Sequence, residues 1–193
     1  MNPWADSLYA IIDAEVSPRP LEWMQTALSS GCAMVQLRAK SLDDRELLEL
    51  ATRARRSCLK AGIPFVVNDR ADIARMVGAD GLHLGQNDLR VRQARAVVGS
   101  ISIGVSTHNL EQALEAERDG ADLIALGPVF ETTTKQNPDP VVGLSLLRHV
   151  CLSVSPPVVA IGGITPENAN DTLAAGARYL AVISALPRFC ESG

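Results

Sequence analysis

A chain of 193 residues, 47% of them apolar and 21% charged, is long enough to bury a full core and too evenly mixed for disorder or a lipid environment. Its formal charge of −4 supplies no bulk attraction for nucleic acid, so an anionic ligand must be held by a local cluster of cations. The expectations that follow are one domain over 1–193, no membrane span, no leader peptide, and a small phosphorylated ligand rather than DNA.

Short apolar runs rich in β-branched residues recur at 8–12, 33–37, 64–67, 81–84, 101–105, 123–126, 158–161 and 179–183, which reads as eight strands. Seven helix-period stretches lie between them, among them 43–61, with Leu47, Leu48, Leu50 and Ala51 amid charge, and 109–119, opened by Asn109 as an N-cap. Alternation of strand and helix without hairpin signals implies parallel strands joined by crossovers, and eight such units predict an α/β chain closed into a (β/α)8 TIM barrel. An open doubly wound sheet would carry a glycine-rich turn after its first strand, whereas Ile12-Asp13-Ala14-Glu15 has no glycine. Gly78-Ala79-Asp80, Gly120-Ala121-Asp122 and Gly176-Ala177-Arg178 each end a helix and launch a strand, and are read as turn chemistry with the glycine in the left-handed C′ position. Only 185–193 follow Ser184, so the final helix is expected to be shortened or missing. The barrel is then closed by a shortened turn or by another chain, which keeps a homo-oligomer among the expectations.

The chemistry-bearing residues gather where strands end. In 36–40, Gln36, Arg38 and Lys40 alternate, so extended geometry points all three to one side, into the barrel mouth, where a guanidinium fork and an ammonium suit phosphate. Asn68 and Asp69 follow 64–67, and Asp88 follows 81–84. Each aspartate alone reads as a helix N-cap, but together they offer the oxygen ligands with which Mg²⁺ holds a phosphorylated substrate. Ser106, Thr107 and His108 come after 101–105, where capping and function are equally good readings of the hydroxyls. Thr132, Thr133, Thr134 and Lys135 open a polar stretch through Pro140 that reads as a lid. Gly162-Gly163 and Ile183-Ser184 end the seventh and eighth runs, the recurrent place for a phosphate site in such barrels. Cys32, Cys58, Cys151 and Cys190 are scattered without metal-site spacing and read as reduced thiols of a cytoplasmic protein.

The series Gln-Leu-Arg-x-Lys at 36–40, Asn-Asp-Arg at 68–70, Gly-Ala-Asp-Gly-Leu-His-Leu-Gly-Gln-x-Asp at 78–88, Gly-x-Ser-x-His at 104–108, Gly-Pro-Val-Phe-x-Thr-x-Thr-Lys at 127–135 and Ala-Ile-Gly-Gly-Ile at 160–164 resembles the thiamine phosphate synthase family over nearly the whole chain. The resemblance implies a transferase of thiamine biosynthesis. It would join 4-amino-5-hydroxymethyl-2-methylpyrimidine diphosphate to 4-methyl-5-(2-phosphoethyl)thiazole, or its carboxylated form, giving thiamine phosphate and diphosphate with Mg²⁺. By position, Gln36, Arg38, Lys40, Asn68, Ser106 and Lys135 would bind the pyrimidine diphosphate, with Arg38, Lys40, Ser106 and Lys135 serving catalysis. Asp69 and Asp88 would bind the metal, and Thr132, Thr134, Gly163, Ile183 and Ser184 the thiazole phosphate. The implied mechanism is dissociative: the C–O bond breaks first and the thiazole nitrogen captures a pyrimidine-methyl cation. Two departures stand out, the short C-terminus and a 136–140 segment unlike the usual loop. A thiazole tautomerase of the same fold, with His108 as base, and a non-catalytic barrel that binds a thiamine precursor are the alternatives. The tautomerase relatives tend to lose the aspartates and cations that persist here.

Overall fold

Tyr9 and Ile11 lie in one apolar cluster and Leu8, Ala10 and Ile12 in another, the two-sided burial of a strand with a core on each face. The structure, a computed structural model, describes residues 2–132 and 140–191. After a 3-10 turn at Ala5–Ser7, the strands are β1 (Leu8–Asp13), β2 (Met34–Arg38), β3 (Phe65–Asn68), β4 (Gly81–Leu84), β5 (Ser102–Thr107), β6 (Leu123–Leu126), β7 (Val158–Ile161) and β8 (Tyr179–Val182). They pair in parallel, each with the next, and β8 returns to β1, which closes the expected barrel. The small inner cluster of Tyr9, Ile11, Val66, Ala125, Val159 and Ala181 fills the barrel. Outside it, Leu8, Ile12, Leu37, Phe65, Leu82 and Leu126 are fully buried with the helix faces, at about 2 kcal/mol for each such side chain taken out of water.

The helices are α1 (Pro20–Ser29), α2 (Asp44–Ala61), α3 (Ala71–Val77), α4 (Val91–Val98), α5 (Leu110–Asp119), α6 (Gly143–Ser153), α7 (Pro166–Ala174) and α8 (Leu186–Glu191). Asp43 opens α2 with a reciprocal capping box to Glu46, and Asn109 opens α5 by accepting from the Gln112 N–H at 2.9 Å. The final helix is short rather than missing. It neighbours α1 and buries Leu186 and Phe189, and the Phe189 ring meets Trp4 edge-on at 5.2 Å.

The Gly-Ala-Asp phrases do more than turn the chain. Asp80 accepts from the Phe65 N–H at 2.8 Å and pairs with Arg55 at 2.7 Å. Asp122 repeats this with the Ile103 N–H at 2.8 Å and Arg95 at 2.6 Å. Both satisfy a backbone donor near the start of a strand, at the amino-terminal rim. In the third phrase Arg178 takes a different course, bonding the Asp6 carbonyl at 3.2 Å and lying 4.9 Å over the Tyr179 ring. No helix among the described residues is long and apolar enough to cross a membrane.

Candidate active site at the carboxyl rim of the barrel

Because the strands are parallel, Asp13, Arg38, Asn68, Leu84, Thr107, Leu126, Ile161 and Val182 all end at one rim, and the loops above them form the mouth. β2 carries Gln36 and Arg38 there, and Lys40 follows two residues beyond the strand's end. The Gln36 amide donates to the buried Tyr9 hydroxyl at 2.7 Å, and burial pushes the Tyr9 phenol up. Arg38 Nη1 sits 2.6 Å from Asp13 Oδ2 and 3.0 Å from Glu15 Oε2, so one guanidinium nitrogen faces two carboxylates. Asp13 is buried and also accepts from the Glu15 N–H at 2.9 Å. Lys40 Nζ lies 2.8 Å from Asp69 Oδ2. Asp43 and Asp44, close to these cations in sequence, are used elsewhere: Asp43 caps α2, and Asp44 meets Arg70 at 2.6 Å.

Neither Asp69 nor Asp88 is a helix cap. The residues preceding α3 and α4 are Arg70 and Arg90. Asp69 is the one non-glycine described with positive φ, at 61°, and the turn around it is closed by the Arg70 N–H on the Asn68 carbonyl at 2.7 Å. Aspartate tolerates that conformation better than most residues, and backbone held there costs on the order of 1 kcal/mol, a pattern concentrated at functional sites. Asp88 Oδ2 accepts from the Gly85 N–H at 2.7 Å. Burial and then the adjacent Asp69 carboxyl, close enough to share a hydrogen bond, push the Asp88 carboxyl up, against the pull of the Gly85 N–H and Lys40. The two acids thus face one another. A cavity of about 240 Å³ opens beside Asp69, lined by Ala39, Lys40, Leu42, Leu47, Asn68, Asp69 and Arg70. No group of three or more His, Cys, Asp or Glu side chains suited to a metal occurs among the described residues. Two facing carboxylates are a donor set that could hold a hard cation while leaving positions open for water and phosphate.

β5 runs to Thr107, so Ser106 belongs to the strand rather than to the loop after it. Its Oγ lies 2.8 Å from His83 Nε2, and Gln86 donates to its carbonyl at 2.5 Å. Thr107 turns outward and bonds the Ala125 carbonyl at 3.0 Å. His108 Nδ1 is 2.6 Å from the Gly127 carbonyl. Sequence reasoning missed Tyr9, Asp13, Glu15, His83 and Gln86. Of these, His83 and Gln86 lay in plain view inside the 78–88 series.

Across the mouth, the β6 loop crosses the glycines that follow β7: Val129 donates to the Ile161 carbonyl at 2.9 Å and Phe130 to the Gly162 carbonyl at 3.0 Å. A Cβ on Gly127 would stand 2.2 Å from the Ile161 carbonyl oxygen, and one on Gly163, at φ 66°, 2.4 Å from that of Glu131. The glycines are thus required first for this crossing. The Gly163 N–H makes no hydrogen bond among the described residues, which leaves it available to a ligand. Ile183 packs with the inner cluster, next to Ser184. Thr132 is half-buried; Thr134, Lys135 and the greater part of the lid read from 132–140 lie outside the described residues.

Burial pushes His83 down from 6.5 to about 4, with Asp88 pulling weakly the other way, so the folded imidazole is neutral where an unfolded one takes up a proton. Stability from this group is complete above about pH 6.5 and is lost as pH falls toward 4, on the order of 3 kcal/mol in all. Urea unfolding at pH 7 and pH 4 is expected to show a larger loss in the wild type than in His83→Gln, and equal losses would count against the buried neutral imidazole.

A family model described as thiamine monophosphate synthase matches residues 8–186. The chain is 44% identical over 181 residues to a thiamine-phosphate synthase of Chloroflexus aurantiacus, covering 93% of this chain and 84% of that one. It is 49% identical over 183 residues to a thiamine-phosphate synthase of Methanocella arvoryzae, covering 93% and 86%. Among solved structures, a thiamine phosphate pyrophosphorylase from Pyrococcus furiosus superposes with a TM-score of 0.86 at 36% identity, covering 97% of this chain and 96% of that one.

Proposed function

We propose a division of labour at this barrel mouth, starting from the fact that the chain belongs to the thiamine monophosphate synthase family. The protein is a thiamine-phosphate synthase, a transferase of thiamine biosynthesis. Its substrates on this reading are the pyrimidine diphosphate and the thiazole phosphate, or the carboxylated thiazole phosphate, handled by one catalytic domain over 1–193. The observation that carries the reading is the facing pair Asp69 and Asp88 with Lys40 against one of them and Arg38 on the neighbouring strand end.

Asp69 and Asp88 would hold Mg²⁺, which when bound supplies positive charge beside the leaving diphosphate. Arg38 and Lys40 bind that diphosphate and neutralise the charge that grows on it as the C–O bond breaks. Both are fixed before reaction, Arg38 by Asp13 and Glu15, so little reorganisation is needed in the transition state. Gln36 and Asn68 orient the pyrimidine diphosphate, and Ser106 donates to it. Gly163 offers its N–H, with Ile183 and Ser184 beside it, to the thiazole phosphate. Thr132, Thr134 and Lys135 join the two anion sites by their place in the family pattern. Capture of the pyrimidine-methyl cation by the thiazole nitrogen needs no side-chain nucleophile. The four cysteines are free thiols, which accords with a reducing, cytoplasmic setting, and burial pushes Cys32 and Cys58 up to about 12, which keeps both protonated at neutral pH.

Purified protein incubated with both precursors, with and without Mg²⁺ and followed by mass, is expected to form thiamine phosphate only when both precursors and the metal are present. Equal turnover in the presence of a chelator would remove the metal from the reading.

A further inference from the structure

A serine hydroxyl rotates freely about its Cβ–Oγ bond unless a neighbour fixes it, and both neighbours that fix Ser106 come from the end of β4. Gln86, exposed two residues past β4, donates to its carbonyl, and the buried His83 meets its hydroxyl, with Nε2 to Oγ at 2.8 Å. His83 is 9% exposed. It stands opposite Gly104 in the β4–β5 ladder, and a Cβ at 104 would lie 2.8 Å from its Nδ1. The missing side chain on β5 is therefore the space that lets the imidazole lie against that strand and reach Ser106 two residues on.

A neutral imidazole carries one N–H, so the 2.8 Å contact can be made in two ways. In one, the Ser106 proton goes to Nε2 and the serine presents only lone pairs to an approaching anion. In the other, Nε2–H donates to Oγ, and the serine keeps its proton for the anion. Only the second favours a leaving diphosphate, and in it each donor polarises the next.

We propose that His83 is a positioning residue of the reaction: it donates Nε2–H to Ser106 Oγ and thereby directs the Ser106 proton at an oxygen of the leaving diphosphate. This rests on the synthase reading and deepens it. No proton changes hands. The C–O bond breaks, its electron pair leaves with the diphosphate, and the two hydrogen bonds shorten as that charge accumulates.

The test is a double-mutant cycle in steady-state and single-turnover thiamine phosphate formation, with His83→Leu, Ser106→Ala and the double variant, and His83→Gln as the conservative rescue. Acting through Ser106, His83→Leu is expected to lower kcat about tenfold with KM for the pyrimidine diphosphate nearly unchanged, and to cost less than about twofold when Ser106 is already alanine. His83→Gln, whose amide can donate from the same place, should recover most of the loss. A full loss from His83→Leu in the Ser106→Ala background overturns the proposal while leaving the synthase reading intact; a wild type that forms no product overturns both. Should His83→Leu fail to fold, ¹⁵N resonances of histidine-labelled wild type decide the matter, the Nε2–H tautomer supporting the assignment and the Nδ1–H tautomer refuting it.

Discussion

Asp69→Asn and Asp88→Asn are each expected to cut Mg²⁺-dependent diphosphate release by about 1,000-fold, the scale on which a fixed charge beside a leaving group acts, while thermal unfolding stays close to wild type. Asparagine is the informative substitution at 69 because it keeps the shape of the side chain and tolerates the positive φ, so charge is what changes. At 88 an amide oxygen can still accept from the Gly85 N–H, which again separates electrostatics from loop structure. Removing one of two facing carboxylates also relieves their mutual repulsion, so either variant is expected to hold its fold as well as the parent does. A rise in the Mg²⁺ concentration giving half-maximal rate is the accompanying signature. Unchanged turnover in both variants would take the metal away from these acids.

Arg38→Met carries the second large effect, and two consequences of it separate cleanly. Losing the cation should lower single-turnover diphosphate release by about 100-fold. It also strands Asp13, whose side chain is only 4% exposed and whose partner at 2.6 Å has gone, at a cost of about 3 kcal/mol in unfolding free energy. Pairing the change with Asp13→Asn should restore most of the stability, since no buried charge then lacks a partner, and should restore none of the rate. Urea unfolding and rapid-quench assays read the two quantities independently. Recovery of turnover in Asp13→Asn/Arg38→Met would make Arg38 a counter-ion for the barrel wall and nothing more.

The barrel was legible in the sequence because strand-sized apolar runs and capped helices alternate without interruption, a signal local to each segment. The acids were legible as a pair for the same reason: each lies in the loop that follows a strand. What could not be read were contacts made across strands. Asp13 entered the sequence reading only as part of a turn without glycine, although its carboxylate takes the first cation of β2. Ser106, set just beyond the expected strand, turned out to extend it, and that one step decides that its hydroxyl meets His83 rather than a helix end. The glycines after β7 were legible as glycines but not for their cause, which is a loop from β6 lying across them.

At the opposite rim, Asp80 and Asp122 each stitch three stretches of chain: the turn that bears the acid, an N–H near the start of the strand next door, and an arginine from a helix outside. These stitches lie a full strand length from the mouth. Cutting one would loosen a single β/α unit without disturbing a residue that meets substrate. The floor of the barrel therefore offers places to stiffen the fold that no substrate-facing residue shares, and this enzyme can be hardened there while its chemistry is left alone.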